Sequence, residues 1–185
     1  MSRAIYLSLG ANVRGCWGEP RASLLEGLAR LARQGVDVRS LSALYQTAPV
    51  GSIAQATYVN AVAEVRTSLP PAALMRVIKR IERQAGRRAS VRWGPRPLDV
   101  DILDYGGTQH GWARHLRSRH SGKGPGPAVR PLILPHPYLH QRAFVLRPLL
   151  DIAPHWRHPV LDLPARRFLQ GLPVWQRTAV KPLDF

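Results

Sequence analysis

The segment RWGPRPLDVDILD, residues 92–104, holds Asp99, Asp101 and Asp104 within six positions, directly after Arg92 and Arg96. The whole chain has only 11 Asp and Glu against 27 Lys and Arg, so three scarce acids beside two guanidiniums invite a chemical reading. The alternation of the segment predicts a strand from Leu98 to Leu103. Leu98, Val100 and Ile102 would share one face and Asp99 and Asp101 the other. Neighbouring carboxylates raise each other's pKa unless a cation lies between them. Mg²⁺ suits that place, because it favours carboxylate oxygens and takes its remaining ligands from water and substrate phosphates. Arginine forks pair bidentately with phosphate oxygens. Acids for a metal and guanidiniums for phosphates describe a site for Mg–ATP. A D-x-D alone reads as a solvated strand face before it reads as a metal site; the flanking arginines turn the reading toward the site. No Walker-type loop or kinase glycine-rich loop is present, which excludes those two designs.

Regular elements must position these groups. AIYLSLGANVRG reads as a buried strand ending in a Gly-Ala-Asn turn. Pro20 opens a helix with Leu24, Leu25, Leu28, Leu31 and Ala32 as its apolar stripe, and Gly35 stops it. Residues 36–47 read as one strand. In YVNAVAEV, Val59, Ala61, Ala63 and Val65 share one face, while Tyr58, Asn60 and Glu64 share the other. Ser68 is a candidate cap for a second helix, with Pro70 and Pro71 in its first turn, an inner stripe of Leu74, Val77, Ile78 and Ile81, and Gly86 as its stop. Residues 106–134 look irregular. Short helices are expected over 144–150 and 164–169. This order of helices and antiparallel-capable strands suggests an α+β sandwich in one domain.

Composition sets outer bounds. The chain of 185 residues suits one domain, and its single cysteine, Cys16, permits no intrachain disulfide. No apolar run approaches a membrane span, and the N-terminus lacks the flanks of a secretory signal, so a cytoplasmic protein is expected. The net charge of +16 rests on 24 Arg against 3 Lys. It fits a solvated arginine-rich surface, attraction of a small phosphorylated ligand, or nucleic-acid binding.

Four separated blocks then carry a specific resemblance. RWGPRPLDVDIL, YLSLGANV, LYQTAPVG followed by YVNAV, and LILPHPYLHQRAFVLRPLLDIAP together resemble the 6-hydroxymethyl-7,8-dihydropterin pyrophosphokinase family, covering the chain from Ala4 to about Pro154. The resemblance implies a three-layer αβα sandwich of ferredoxin-like topology around an antiparallel sheet. It also implies transfer of the β,γ-pyrophosphoryl group of ATP to the pterin hydroxymethyl oxygen, with release of AMP. Asp99 and Asp101 correspond to the carboxylates that hold two Mg²⁺ ions. Arg87, Arg92 and Arg96 correspond to basic residues of a mobile loop and its anchor, with Arg87 and Arg96 counted among the catalytic groups, and Trp93 to a loop aromatic over the substrate. Tyr58 and Phe144 correspond to the aromatics that sandwich the pterin. Asn60 meets its amide-like edge, together with main-chain groups around Thr47, Ala48 and Val50. Glu82, Arg92, Arg96, Ile102, His136 and Arg142 correspond to the ATP side.

The stretch 108–130 is the departure. It carries Arg114, Arg117, Arg119, Lys123 and Arg130, with His110, His115 and His120 spaced five apart, and reads as a solvated basic insertion within a domain spanning 1–185. The rival reading is a nucleic-acid-binding α+β module using the basic surface. YVNAV lacks the aromatic pattern of an RNA-recognition sheet, which makes nucleic acid an unlikely partner. Pterin and ATP are the expected partners of a monomer.

Overall fold

The computed structural model describes residues 4–48, 56–87, 94–113 and 131–183. Strand β1 (Ile5–Ala11) leads to helix α1 (Pro20–Ala32). The chain returns through β2 (Asp37–Leu41) and β3 (Tyr45–Thr47) to β4 (Tyr58–Arg66), then α2 (Pro71–Gln84) and β5 (Asp99–Tyr105). Three helices follow, α3 (Ala143–Ile152), α4 (Ala165–Gly171) and α5 (Val174–Thr178), before the short strand β6 (Lys181–Pro182). The sheet order is β5-β1-β4-β3-β6, with β2 also on β4, and every pairing is antiparallel. β4 thus lies between β1 and its helix-linked return strands, and β1 lies between β4 and β5. Two interlocked split βαβ units result, which is the ferredoxin-like arrangement.

Helices cover both faces because the strands are apolar on both. Leu7 and Leu9 of β1, Ala61, Ala63 and Val65 of β4, and Val100 and Ile102 of β5 form one core with Leu24, Leu28 and Leu31 of α1 and Leu74, Ile78 and Ile81 of α2. Val62 and Leu103 form a second core with Leu139, Val145, Leu146, Leu149 and Trp156. Each fully buried leucine or isoleucine contributes about 1.5–3 kcal/mol. The α1 stripe differs from the expected one. Leu25 is 45% exposed and Ala32 is exposed too, while Ser23 and Gly27 point inward. A Cβ on Gly27 would fall 2.9 Å from Leu98 Cδ2. The glycine therefore lets α1 press on the residue that enters β5, at a helix-propensity cost of about 1 kcal/mol.

Other boundaries move as well. Residues 36–47 form two strands rather than one, because Ser42 turns inward and its Oγ accepts the Val62 N–H at 3.0 Å. Pro70, not Ser68, caps α2, and no side chain bonds the helix end. The start of the supposed insertion belongs to the packed molecule: His110 bridges Leu134, and buried Trp112 donates its indole N–H to the Pro135 carbonyl at 2.7 Å. Residues 114–130 lie outside the described ones.

A bulge explains the third acid. β5 pairs with β1 as Leu7↔Ile102 and then Tyr6↔Asp104, leaving Leu103 as the extra residue. The slip turns Asp104 into the second core, where Oδ2 accepts the Trp156 indole N–H and Oδ1 the Gly107 N–H, both at 2.9 Å. Burial pushes its carboxyl above the usual range, against the opposing effect of these donors. Asp104 is a strut between β5 and the segment after α3. Asp104→Ala should strand two N–H donors and lower unfolding free energy by about 2–4 kcal/mol, read from urea denaturation.

The same segment buries a histidine. His158 Nδ1 accepts the Val160 and Leu161 N–H groups, each at 3.2 Å, so the neutral ring carries its proton on Nε2. Trp112, His140, Trp156 and Phe168 surround it at 5.2–5.8 Å between ring centroids. Burial, and secondarily His140, lower its pKa from 6.5 to about 4. The folded pKa is below the unfolded one, so the unfolded chain takes up the proton first as pH falls. The associated stability is complete above the unfolded value and is lost on acidification toward the folded one. It amounts to at most about 3 kcal/mol. His158→Asn keeps an acceptor at the Nδ1 position, so its melting temperature should fall less steeply than the parent's between pH 7 and 4.5. Parallel slopes would contradict this assignment.

Candidate active site

Register places the candidate residues on common rungs of the sheet. Gly10 of β1 pairs with Asp99 on one side and Asn60 on the other, and Asn60 in turn pairs with Tyr45. On the next rung of that face, Ser8 lies between Asp101 and Val62. β1 thus separates the acidic strand from the amide-bearing strand and offers only Ser8 and Gly10 to the space between them. At a strand spacing of about 4.8 Å, acid and amide backbones stand about 10 Å apart across this trough. A Cβ on Gly10 would lie 3.0 Å from Asn60 Oδ1 and 3.9 Å from Tyr58 Cδ1, so glycine keeps the front of Asn60 open. The alternation of YLSLGA, with Leu7 and Leu9 buried beneath Ser8 and Gly10, was the available signal for this floor.

At the acidic end, Asp99 is clamped by two guanidiniums, Arg87 on Oδ1 and Arg96 on Oδ2. Burial would raise its pKa, but Arg96, then Arg87 and Lys79, outweigh burial and hold the carboxyl below its usual range. Both arginines are delivered by local geometry. Gly86, at φ +97, ends α2. Its N–H returns to Arg83 O and that of Arg87 to Glu82 O, at 3.0 and 3.1 Å, which is the paired bonding of a Schellman cap. That turn lays Arg87 over Glu82, Nη1 to Oε1 2.7 Å. Buried Glu82 also accepts the Val100 N–H at 2.9 Å and pairs with Lys79, so it braces α2 against β5. Burial raises the Glu82 pKa, while Lys79 and Arg87 oppose the rise.

Arg96 is held by a residue that the sequence reading passed over. Asn12 Oδ1 accepts the Arg96 N–H at 2.8 Å, and the Asn12 N–H donates to Arg96 O at 3.0 Å. Asn12 is 2% exposed. Its position in the Gly-Ala-Asn turn was visible in the sequence, but its partner 84 residues away was not.

His136 closes the acidic end, with Nε2 3.9 Å from Asp101 Oδ2. Its Nδ1 accepts the Tyr138 N–H at 3.2 Å, placing the neutral ring's proton on Nε2, toward the carboxylate. Burial lowers its pKa to about 4, although Asp101 opposes that shift. Arg142 sits with its guanidinium carbon 5.7 Å from the Tyr138 and Phe144 ring centroids. Its pKa is lowered by burial, with Asp101 and Asp99 opposing. At the far end, Asn60 Nδ2 donates to Thr47 Oγ1 at 2.8 Å, and both residues are buried. Tyr58 and Phe144 are half-buried and Ala48 is exposed. Burial raises the Tyr58 pKa, with smaller effects from Arg96, Asp99 and Arg87.

The structure therefore groups Arg87, Arg96, Asp99, Asp101, His136 and Arg142 at one end and places Asn60, Thr47 and Tyr58 at the other. The Ile102 side chain is 2% exposed in the first core, on the opposite face from the acids. Only its main chain could meet a nucleotide. Val50, Arg92 and Trp93 lie outside the described residues. Asp99 and Asp101, acids on one strand face, fit a hard divalent ion that takes its other ligands from phosphates and water. No described group of three or more His, Cys, Asp or Glu could hold a metal by itself.

A family described as 7,8-dihydro-6-hydroxymethylpterin-pyrophosphokinase (HPPK) matches residues 6–154. The chain is 31% identical over 164 residues to a 2-amino-4-hydroxy-6-hydroxymethyldihydropteridine pyrophosphokinase of Aquifex aeolicus, covering 89% of each chain. It is 33% identical over 178 residues to the protein of that name in Bacillus subtilis, covering 96% of this chain and 93% of the relative. Among solved structures, a Plasmodium falciparum HPPK-DHPS chain superposes with a TM-score of 0.67 at 17% identity, covering 98% of this chain. The present chain spans 47% of that longer one. By sequence and by fold, the chain belongs to the HPPK family.

Proposed function

We propose that the chain, as a single pyrophosphokinase domain over 1–185, transfers the β,γ-pyrophosphoryl group of ATP to the hydroxymethyl oxygen of 6-hydroxymethyl-7,8-dihydropterin. The observation that carries this reading is the trough over Ser8 and Gly10. It has donors and acceptors for a flat, amide-edged heterocycle at one end and a carboxylate–guanidinium cluster at the other. A pterin seated against Asn60 would extend its hydroxymethyl group along the glycine floor toward Asp99. The alcohol oxygen then gives up its proton to solvent and bonds to the β-phosphorus while the bond from that phosphorus to the α-phosphate oxygen breaks, releasing AMP.

Asp99 and Asp101 would hold Mg²⁺, two ions by the family resemblance, which neutralises charge on the phosphates when bound. The rest of the work belongs to positioned side chains. Asn60 and Thr47 read the ring edge, and Tyr58 and Phe144 are its stacking faces. Arg87 and Arg96 hold Asp99 ionised in the free protein and exchange that carboxylate for phosphate oxygens as the nucleotide enters. Neutral His136 presents a donor on Nε2, and Arg142 adds a partly desolvated cation to the same end. Glu82 acts through Arg87, since its own oxygens are taken by Val100, Lys79 and Arg87. No described helix is long and apolar enough to cross a membrane. The comparisons give no support to the nucleic-acid reading.

Two measurements test the proposal. With Mg–ATP and the reduced pterin, chromatography of the nucleotide product should show AMP, whereas ADP would overturn pyrophosphoryl transfer. In the same assay Asp101→Asn should lower kcat roughly a thousandfold, because a held metal contributes several kcal/mol to the transition state. Asn60→Ala should weaken pterin binding by about 1–3 kcal/mol while leaving ATP affinity unchanged in separate calorimetric titrations. Equal losses for both ligands would remove the assignment of Asn60 to the pterin.

A further inference from the structure

The peptide unit between Pro135 and His136 is bonded at both of its polar groups. Its N–H donates to the Leu103 carbonyl at 2.8 Å, and its carbonyl accepts the Trp112 indole N–H at 2.7 Å. Leu103 is the bulge residue of β5, two positions beyond Asp101, so one bond ties His136 directly to the acidic strand. The other bond comes from the stretch that follows β5. His110 and Leu134 exchange both main-chain bonds, at 2.8 and 2.9 Å, and Gly111 at φ +75 turns the chain beside them. A Cβ on Gly111 would lie 3.1 Å from Leu132 O, so glycine suits both the turn and the close approach. Trp112 then arrives 6% exposed, its ring 5.2 Å from His158 and 6.3 Å from His140 between centroids.

A buried indole N–H needs an acceptor, and many carbonyls would serve a tryptophan that merely fills this core. What sets Trp112 apart is where its acceptor lies. Pro135 is buried, so its carbonyl cannot exchange the indole for bulk water without moving. Turning that peptide turns His136 with it. The histidine ring tolerates little rotation: Nδ1 already accepts the Tyr138 N–H at 3.2 Å, and Nε2 faces Asp101 Oδ2 at 3.9 Å. A phenylalanine at position 112 would still pack against His140 and His158 but would supply no donor. Packing and positioning are thus separable at this one side chain.

We propose, resting on the pyrophosphokinase reading, that Trp112 is a positioning residue for the nucleotide end of the trough: through Pro135 it holds the histidine that faces Asp101. Trp112→Phe is compared with Trp156→Phe, which removes an indole N–H from the same core but takes it from Asp104. The second variant strips a donor from a buried carboxylate, so its melting temperature should fall at least as far. Calorimetric titration uses Mg²⁺ with α,β-methylene-ATP, whose carbon bridge blocks the reaction. Trp112→Phe should bind this analogue about tenfold more weakly, roughly one hydrogen bond to a charged oxygen, and Trp156→Phe as the parent does. Pterin affinity should hold in both. Long-range proton–nitrogen NMR spectra of the imidazoles at neutral pH, with His136 assigned through His136→Gln, give a readout that needs no ligand. The parent and Trp156→Phe should show the Nε2–H tautomer of His136, and Trp112→Phe a mixture of tautomers. Either readout unchanged in Trp112→Phe would overturn the assignment, and so would equal changes in both variants, since a general loosening of the core would then explain them. A parent that binds the analogue yet converts ATP to ADP would end the pyrophosphokinase reading and leave both readouts standing.

Discussion

A carboxylate that is only 20% exposed must keep a cation beside it, and Asp99 imposes that requirement on everything around it. Three unrelated devices satisfy it. A Schellman cap at Gly86 folds Arg87 back from the end of α2, a turn residue of β1 fastens the backbone of Arg96, and Glu82 supplies the counter-charge that keeps Arg87 in place. Two of these devices belong to the end of α2 and one to the turn after β1, and Glu82 also accepts the Val100 N–H of β5, so the clamp also fixes how α2, the β1 turn and β5 meet. Gly15 tightens the same junction, since a Cβ there would lie 2.5 Å from Ala85 O. The charge requirement of one side chain and the packing of the domain's acidic end are therefore one problem.

The trough depends on what β1 withholds. A strand at the centre of a ferredoxin-like sheet is expected to fill both faces, and Leu7 and Leu9 do so on the side of α1 and α2. On the other face Ser8 and Gly10 leave the sheet bare between Asp99 and Asn60, and the second core begins beyond them, at Val62 and Leu103. Pre-organisation follows from the register. Asp99, Asp101 and Asn60 are fixed by main-chain pairing rather than by loops, which is the rigid support that positioned catalysis needs.

Much of this was legible in the residues. Alternation gave the opposed faces of β4 and β5, and hence Asn60 with Tyr58 and Asp99 with Asp101. Helix spacing gave α1 and α2 and the stop at Gly86. What failed was local alternation meeting a tertiary constraint. The bulge at Leu103 turns Asp104, which strict alternation would leave on the face of Val100 and Ile102, into the second core as a strut under Trp156, and no residue type announces a bulge. Alternation itself had put the Ile102 side chain opposite the acids, and the structure keeps it there. Asn12, Lys79 and Trp112 were missed because their roles depend on partners distant in sequence or a helical turn away. Glu82 could have been a solvated helix acid until β5 was seen to donate Val100 N–H to it.

The scarcity of acids then takes on a physical meaning. Asp99 and Asp101 face the trough, Glu82 and Asp104 are buried struts, and Asp151 holds a tyrosine, so nearly half the acids are committed to specific partners. The arginine surplus remains, and the clamp is built from part of it. When an anion enters, Arg87 and Arg96 can transfer to phosphate oxygens only if Asp99 keeps compensation of its own, because an uncompensated charge at this depth is costly. A divalent cation held by Asp99 and Asp101 would provide it. The free protein thus holds Asp99 charge-balanced between Arg87 and Arg96. On the proposed reading, a metal-free triphosphate would leave Asp99 facing another anion, and the clamp would favour the metal complex at this end of the trough.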